Sequence, residues 1–156
     1  MLVVLTGGTG GAKLIEGLAA ETDPAQLTVV CNTADDEIFH GLYVAPDIDT
    51  IAYTLAGLND NERGWGIQGD TFAVLHQLRW LGNDAWFNLG DKDFATHITR
   101  TRLLAEGLTL AQTTERICAA LGVKATILPM SNERVETRVV TSEGELSFQE
   151  FFVRER

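Results

Sequence analysis

The feature that most constrains this chain is its start. An apolar run, Met1 to Thr6, breaks into Gly7-Gly8-Thr9-Gly10-Gly11, and apolar residues then recur at helical spacing through Leu14, Ile15 and Leu18. A second apolar, β-branched run follows at Leu27 to Cys31. Strand, helix and strand in so short a span form a βαβ unit, whose strands must lie parallel with a right-handed crossover. The pattern therefore predicts a Rossmann-like parallel sheet with helices on both faces, in a single domain over residues 1–156.

The rest of the chain fits that frame. Asn32 to Asp49 reads as a long polar loop, and loops of that length in compact domains are usually functional. Helices are predicted at Ala12–Ala20, Asp49–Ala56, Asp70–Leu81, Asp93–Ala105 and Thr109–Leu121, the last with a capping box from Thr109 to Gln112. Trp86–Leu89 and Lys124–Leu128 read as further strands. Arg134–Thr141 and Glu145–Val153 alternate, and Ser142-Glu143-Gly144 joins them as a closing β-hairpin. A parallel sheet that ends on a hairpin looks unfinished, so the chain is expected to be part of a larger domain.

Charge excludes one class of partner. At a formal net charge of −10, the chain lacks the clustered cations that a nucleic-acid backbone requires. No apolar stretch is long enough to span a membrane, and the first residues do not form a signal peptide. Cys31 and Cys118 lie far apart among apolar neighbours, as buried free thiols of a cytoplasmic protein.

Three clusters carry candidate chemistry. Glycines let a backbone approach a phosphate, and a helix N-terminus offers free N–H groups. Gly7, Gly8, Thr9, Gly10 and Gly11, with the charge of Lys13, therefore form a candidate phosphate or nucleotide loop, although no Walker A pattern fits. Asn32-Thr33-Ala34-Asp35-Asp36 follows the second strand, at the sheet edge where open α/β folds bind ligands. Together with Asp47 and Asp49 it makes two acidic pairs, suited to a hard cation such as Mg²⁺ or to general-base work. Asp93, His97 and Arg100 fall on one helix face. Asp91 reads as the cap of that helix and Asp70 as the cap of the helix it begins. Trp65, in a glycine-rich loop, could stack on a planar ring or plug the core.

These blocks, taken in order, resemble the 2-phospho-L-lactate transferase family of deazaflavin-coenzyme (coenzyme F-420) biosynthesis. The matching pieces include Thr6–Lys13, Val30–Asp36, Pro46–Thr50, Gly64–Thr71, Trp86–Asp93, Leu128–Met130 and Phe148–Arg154. Family members are about twice this length, so the resemblance implies the N-terminal half of a longer transferase. It further implies a reaction in which the hydroxyl of the deazaflavin Fo attacks a guanosine diphosphate-activated three-carbon acid and GMP leaves. The acid would be of phospholactyl or phosphoenolpyruvyl type, the metal Mg²⁺, and the full-length enzyme a homodimer.

Carried over residue by residue, the resemblance implies that Asp49 and Lys92 contact the deazaflavin, Lys92 standing where arginine is usual. Thr50 and His97 join them as substrate contacts, and Asp49 is the candidate base or orienting group. Asp36 and Asp47 are the expected metal ligands. Gly7 to Lys13, with Asn32, form the nucleotide-phosphate loop, although Gly11-Ala12 departs from the family's usual Thr-Pro. Three other readings compete: a nucleotide-sugar-binding regulator with a similar glycine loop, a dinucleotide oxidoreductase using Asp35 or Asp36 on a ribose, and an interaction-only fragment.

Overall fold

The structure, a computed structural model, describes residues 1–142 and 144–155. The opening unit is as expected: β1 (Leu2–Thr6), α1 (Gly8–Glu21) and β2 (Leu27–Cys31). Next come a small antiparallel pair, β3 (Glu37–Phe39) and β4 (Leu42–Val44), and then α2 (Pro46–Leu55), α3 (Ala73–Trp80), α4 (Asp91–Ala105) and α5 (Leu110–Ala120). The chain returns to the sheet as β5 (Thr126–Pro129) and ends in a hairpin, β6 (Arg138–Thr141) with β7 (Gly144–Ser147), and a π-helical turn, Glu150–Arg154. The parallel sheet has the order β1-β2-β5. Its register sets Leu2 beside Leu27 and Val29 beside Ile127.

Alternation along the strands divides the sheet into two faces. Leu27, Val29, Cys31 and Ile127 point into a core shared with Ile15 of α1, Ile48 and Ile51 of α2, and Leu110 and Cys118 of α5. The opposite face carries Val3, Leu5 and Leu128, which are 51%, 79% and 38% exposed. Among the described residues no helix packs over Val3 and Leu5 on this second face. A second cluster, with Phe39, Val44, Leu89 and Phe94 at its centre, packs the β3–β4 hairpin against α4.

Several boundaries differ from the sequence expectation, each for a local reason. Helix α1 begins at Gly8, so most of the glycine run is the helix's first turn. The long loop after β2 folds into β3 and β4 around His40-Gly41, both at positive φ. Trp86–Leu89 forms no strand: its aromatic residues pack side chain to side chain, with Phe87 stacked on Phe39 at 4.2 Å. The last strand stops at Ser147, where Glu150 N–H donates to Ser147 Oγ (3.2 Å) and Ser147 N–H donates to Glu150 Oε2 (2.9 Å). That reciprocal pair is a Ser-x-x-Glu capping box, and it starts a helical turn where alternation suggested a strand. Glu143, in the expected connection, lies outside the described residues. The capping box expected at Thr109 and Gln112 is present.

The caps of α3 and α4 are exchanged. Asp70 was expected to begin its own helix; its carboxylate instead accepts from the N–H groups of Lys92 (2.9 Å) and Asp93 (3.3 Å) at the start of α4. Asp91 in turn accepts from Ala73 (3.1 Å) and Val74 (2.9 Å) at the start of α3, and from the Thr71 hydroxyl. Each aspartate neutralises the positive end of the other's helix. A Cβ at Gly90 would lie 2.1 Å from Asp70 Oδ2, so only glycine fits there.

Candidate functional site

A crevice of about 790 Å³ opens where the chain leaves β1 and β2. This is the carboxyl end of the parallel strands, the expected position for a ligand in an open α/β sheet. One rim is built by Gly7, Gly8, Thr9, Asn32, Asp35 and Asp47. The floor is polar and buried, formed by Asp49 and Tyr53 of α2 and by Asp93 and His97 of α4. Trp65, Phe87, Phe148 and Phe152 supply aromatic wall, and Phe148 stacks on Phe152 at 5.3 Å. The terminal segment reaches the crevice because Gln149 Nε2 donates to the Asp35 carbonyl at 3.1 Å and Thr137 N–H to the Ala34 carbonyl at 2.7 Å.

At the rim, Asp47 occupies the start of α1. Its Oδ1 accepts from Gly8 N–H at 2.8 Å, and a Cβ on Gly7 would lie 2.4 Å from its Oδ2. The Asn32 amide nitrogen donates both to Asp47 Oδ2 (3.0 Å) and to Asp35 Oδ2 (3.1 Å), which draws two carboxylates to the same edge. Burial and the nearby charge of Asp47 raise the Asp35 carboxyl above its ordinary range. Of the expected nucleotide loop, Gly7, Gly8, Thr9 and Asn32 line the crevice, whereas Gly10, Gly11 and Lys13 do not.

Asp36, expected as a metal ligand beside Asp47, turns away from the crevice. It is buried and accepts from the Tyr43 hydroxyl at 2.9 Å. Burial raises its carboxyl to about 8. The residue that faces the rim with Asp47 is its neighbour, Asp35. Among the described residues no group of three or more His, Cys, Asp or Glu side chains is arranged to hold a metal. Mg²⁺ does not demand such a cage, because it is commonly held by one or two carboxylates, water and substrate phosphates. The Asp35–Asp47 pair fits that requirement, and the Asp36–Asp47 pair does not.

On the floor, Asp49 is committed to Arg100. The guanidinium is fully buried and engages both carboxylate oxygens, Nη1 to Oδ2 at 3.0 Å and Nη2 to Oδ1. With both oxygens engaged by the same guanidinium, Asp49 has no free oxygen directed at a ligand, so the geometry favours an orienting role for it over that of a base. His97 lies against the same pair, its Nδ1 3.3 Å from Arg100 Nη1 and 3.6 Å from Asp49 Oδ2. Burial lowers the His97 imidazole to about 4, and burial raises the Asp93 carboxyl to about 6, with Asp49 adding repulsion.

Thr50 lines the crevice as expected. Lys92 does not: it is exposed, and its ammonium donates to the Gln68 carbonyl at 3.0 Å. The sequence reading missed Tyr53, Phe87, Phe148 and Phe152 as site residues. Spacing offered a signal for Tyr53, one helical turn beyond Asp49 on the same face.

Fold and crevice together define an α/β protein of the Rossmann-like class, with a candidate site at the carboxyl edge of a parallel sheet. The family model for 2-phospho-L-lactate transferase CofD matches residues 2–156, and the chain belongs to that family. It is 46% identical to a phosphoenolpyruvate transferase of Streptomyces griseus, over 99% of this chain and 50% of the relative. It is 45% identical to a 2-phospho-L-lactate transferase of Methanothermobacter thermautotrophicus, over 100% of this chain and 51% of the relative. The chain thus spans about half the length of the curated relatives it matches. A crystal structure of a UPF0052 family protein from Bacillus halodurans shares the fold, with a TM-score of 0.51 at 18% identity over 93% of this chain and 44% of that one.

Proposed function

We propose that this chain supplies the deazaflavin-binding and phosphate-binding parts of a transferase of coenzyme F-420 biosynthesis. That enzyme joins a guanosine diphosphate-activated three-carbon acid, phospholactyl or phosphoenolpyruvyl, to the hydroxyl of the deazaflavin Fo and releases GMP. The observation that carries the reading is the crevice itself: a glycine-lined helix start and two rim carboxylates share one cavity with an aromatic wall. The aromatic wall suits a planar ring, and the helix start suits a diphosphate. The reading takes the enzyme to be cytoplasmic and, at full length, a homodimer.

Electrostatics supports a cation in the donor site. Asp47 already accepts from the N–H at the start of α1, so a diphosphate approaching Gly7–Thr9 meets a negative carboxylate. Mg²⁺ bound between Asp35, Asp47 and the phosphates would offset that repulsion. The chain's own residues then have distinct duties. Gly7 and Thr9 offer backbone donors to the diphosphate while Gly8 N–H stays with Asp47, Asn32 holds the two carboxylates, and Asp49 and Thr50 orient the acceptor. As in other phosphoryl transfers, most of the rate enhancement would come from positioning and charge stabilisation.

Calorimetric titration with Fo and with GDP, each with and without Mg²⁺, tests the reading. Fo should bind without metal, and GDP should bind at least tenfold more tightly with Mg²⁺, a dependence that Asp47→Asn should reduce. Binding of a UDP-sugar or of NADH in preference to GDP would replace the transferase with one of the competing functions.

A further inference from the structure

The crevice floor contains a buried donor with nothing to donate to. His97 is 1% exposed and lines the crevice, and its Nε2 has no hydrogen-bond partner among the described residues. Its other nitrogen fixes the tautomer. A guanidinium only donates, and of the two hydrogens on Arg100 Nη1 one goes to Asp49 Oδ2 at 3.0 Å while the other faces His97 Nδ1 at 3.3 Å and the Tyr43 carbonyl at 3.4 Å. Nδ1 must therefore accept, and in a neutral imidazole the proton then sits on Nε2. The 3.6 Å separation from Asp49 Oδ2 is too long for the alternative, in which Nδ1–H would donate there.

One turn earlier on the same helix, Asp93 supplies the matching acceptor. The other crevice carboxylates are engaged: Asp49 by Arg100, Asp47 by Gly8 and Asn32, and Asp35 by Asn32. Asp93 accepts a long 3.5 Å contact from Gly90 N–H, and the Tyr53 hydroxyl lies close enough to stabilise its charged form, yet without full hydrogen-bond geometry. Buried polar groups in native folds are normally satisfied, so an unpaired donor beside an underused acceptor marks a ligand's position.

We propose that His97 and Asp93 clamp one hydroxyl of a polyol-bearing acceptor, His97 Nε2–H donating to the hydroxyl oxygen and Asp93 accepting its hydrogen. The assignment rests on the acceptor reading above and specifies which part of the acceptor is held. A hydroxyl both donates and accepts, so it satisfies both residues at once, which a ring carbon or a carbonyl cannot. Because Arg100 sets the tautomer from behind, Arg100 is a positioning residue for the clamp and does not touch the ligand.

The test compares two probes by fluorescence titration of the full chain: Fo, and the same deazaflavin ring without its ribityl chain. His97→Leu should weaken Fo roughly five- to tenfold, the loss expected for one hydrogen bond, and leave the chain-less ring unchanged. His97→Gln, whose amide nitrogen sits near the position of Nε2, should restore Fo to within about twofold of wild type. Equal losses for both probes, or no loss for Fo, in variants with a native near-ultraviolet dichroism spectrum would overturn the clamp while the acceptor reading stands. A nitrogen NMR spectrum showing His97 as the Nδ1–H tautomer would also overturn it. Wild-type chain that binds neither probe would overturn the acceptor reading, and the clamp with it.

Discussion

At the scale of single residues, the site rests on buried charge. Arg100 is fully buried and is balanced by Asp49, the acidic residue at its guanidinium. Breaking a buried pair leaves an uncompensated charge and typically costs about 3–5 kcal/mol. Arg100→Met should therefore lower the unfolding free energy by about that amount in urea titrations, whereas the exposed Arg102→Met should change it by less than about 1 kcal/mol. Asp36 gives a pH signature. Its folded carboxyl titrates at about 8 against 3.8 for the free group. Between those values the folded chain holds one more proton than the unfolded chain, so stability falls as pH rises, by up to ~1.4 kcal/mol per unit from this group, and levels off above pH 8. Asp93 acts with the same sign up to about pH 6, while His97, lowered from 6.5 to about 4, acts with the opposite sign over that range. The two largely cancel, so the decline above pH 6.5 belongs to Asp36. Asp36→Asn should flatten the stability profile between pH 6.5 and 8, and a decline that persists in the variant would show that another group causes it.

At the scale of elements, the exchanged caps dominate. Asp70→Ala should cost about 1–2 kcal/mol, the usual worth of an N-cap carboxylate, and should loosen the start of α4 although residue 70 precedes α3. Gly90→Ala should destabilise as strongly, because its new methyl group would collide with Asp70. Chemical shifts of Lys92 and Asp93 distinguish this arrangement from a local cap, which would perturb Ala73 and Val74. The sequence made the helices legible, and the Thr109–Gln112 box, because those signals lie within a few residues of each other. The face bearing Asp93, His97 and Arg100 was legible for the same reason. The exchange was not, since it pairs residues some twenty positions apart and each aspartate also sits where a local cap would. Nor could the sequence tell which of Asp35 and Asp36 faces the crevice: adjacent side chains diverge, and the choice is made by Asn32 on one side and Tyr43 on the other.

At the scale of the whole molecule, the open sheet face is the main departure from a self-contained domain. Val3, Leu5 and Leu128 lie on one face of the sheet, and among the described residues no helix packs over them. Exposed contiguous apolar surface promotes association, and among the described residues β1 also presents an unpaired edge. The chain alone should self-associate with rising concentration in sedimentation runs, and the double substitution Val3→Thr with Leu5→Thr should shift it toward monomer without weakening Fo binding, since neither residue lines the crevice. The parallel sheet was legible from the opening βαβ pattern. The bare face was not, because apolar strand residues look the same whether or not a layer covers them.

The exchanged caps also bear on how the crevice fluctuates. Trp65 and Gly66 on its wall lie only a few residues before Asp70, which grips α4, and α4 carries Asp93 and His97 of its floor. The loop cannot swing away without releasing amide protons at the head of α4, and α4 cannot fray without uncapping α3. In native-state hydrogen exchange, the amides of Val74 and Lys92 should therefore open together with one free energy, as a single cooperative unit. A ligand that touches only Trp65 would then slow exchange at Lys92, and the site would register occupancy of its wall in the protection of its floor.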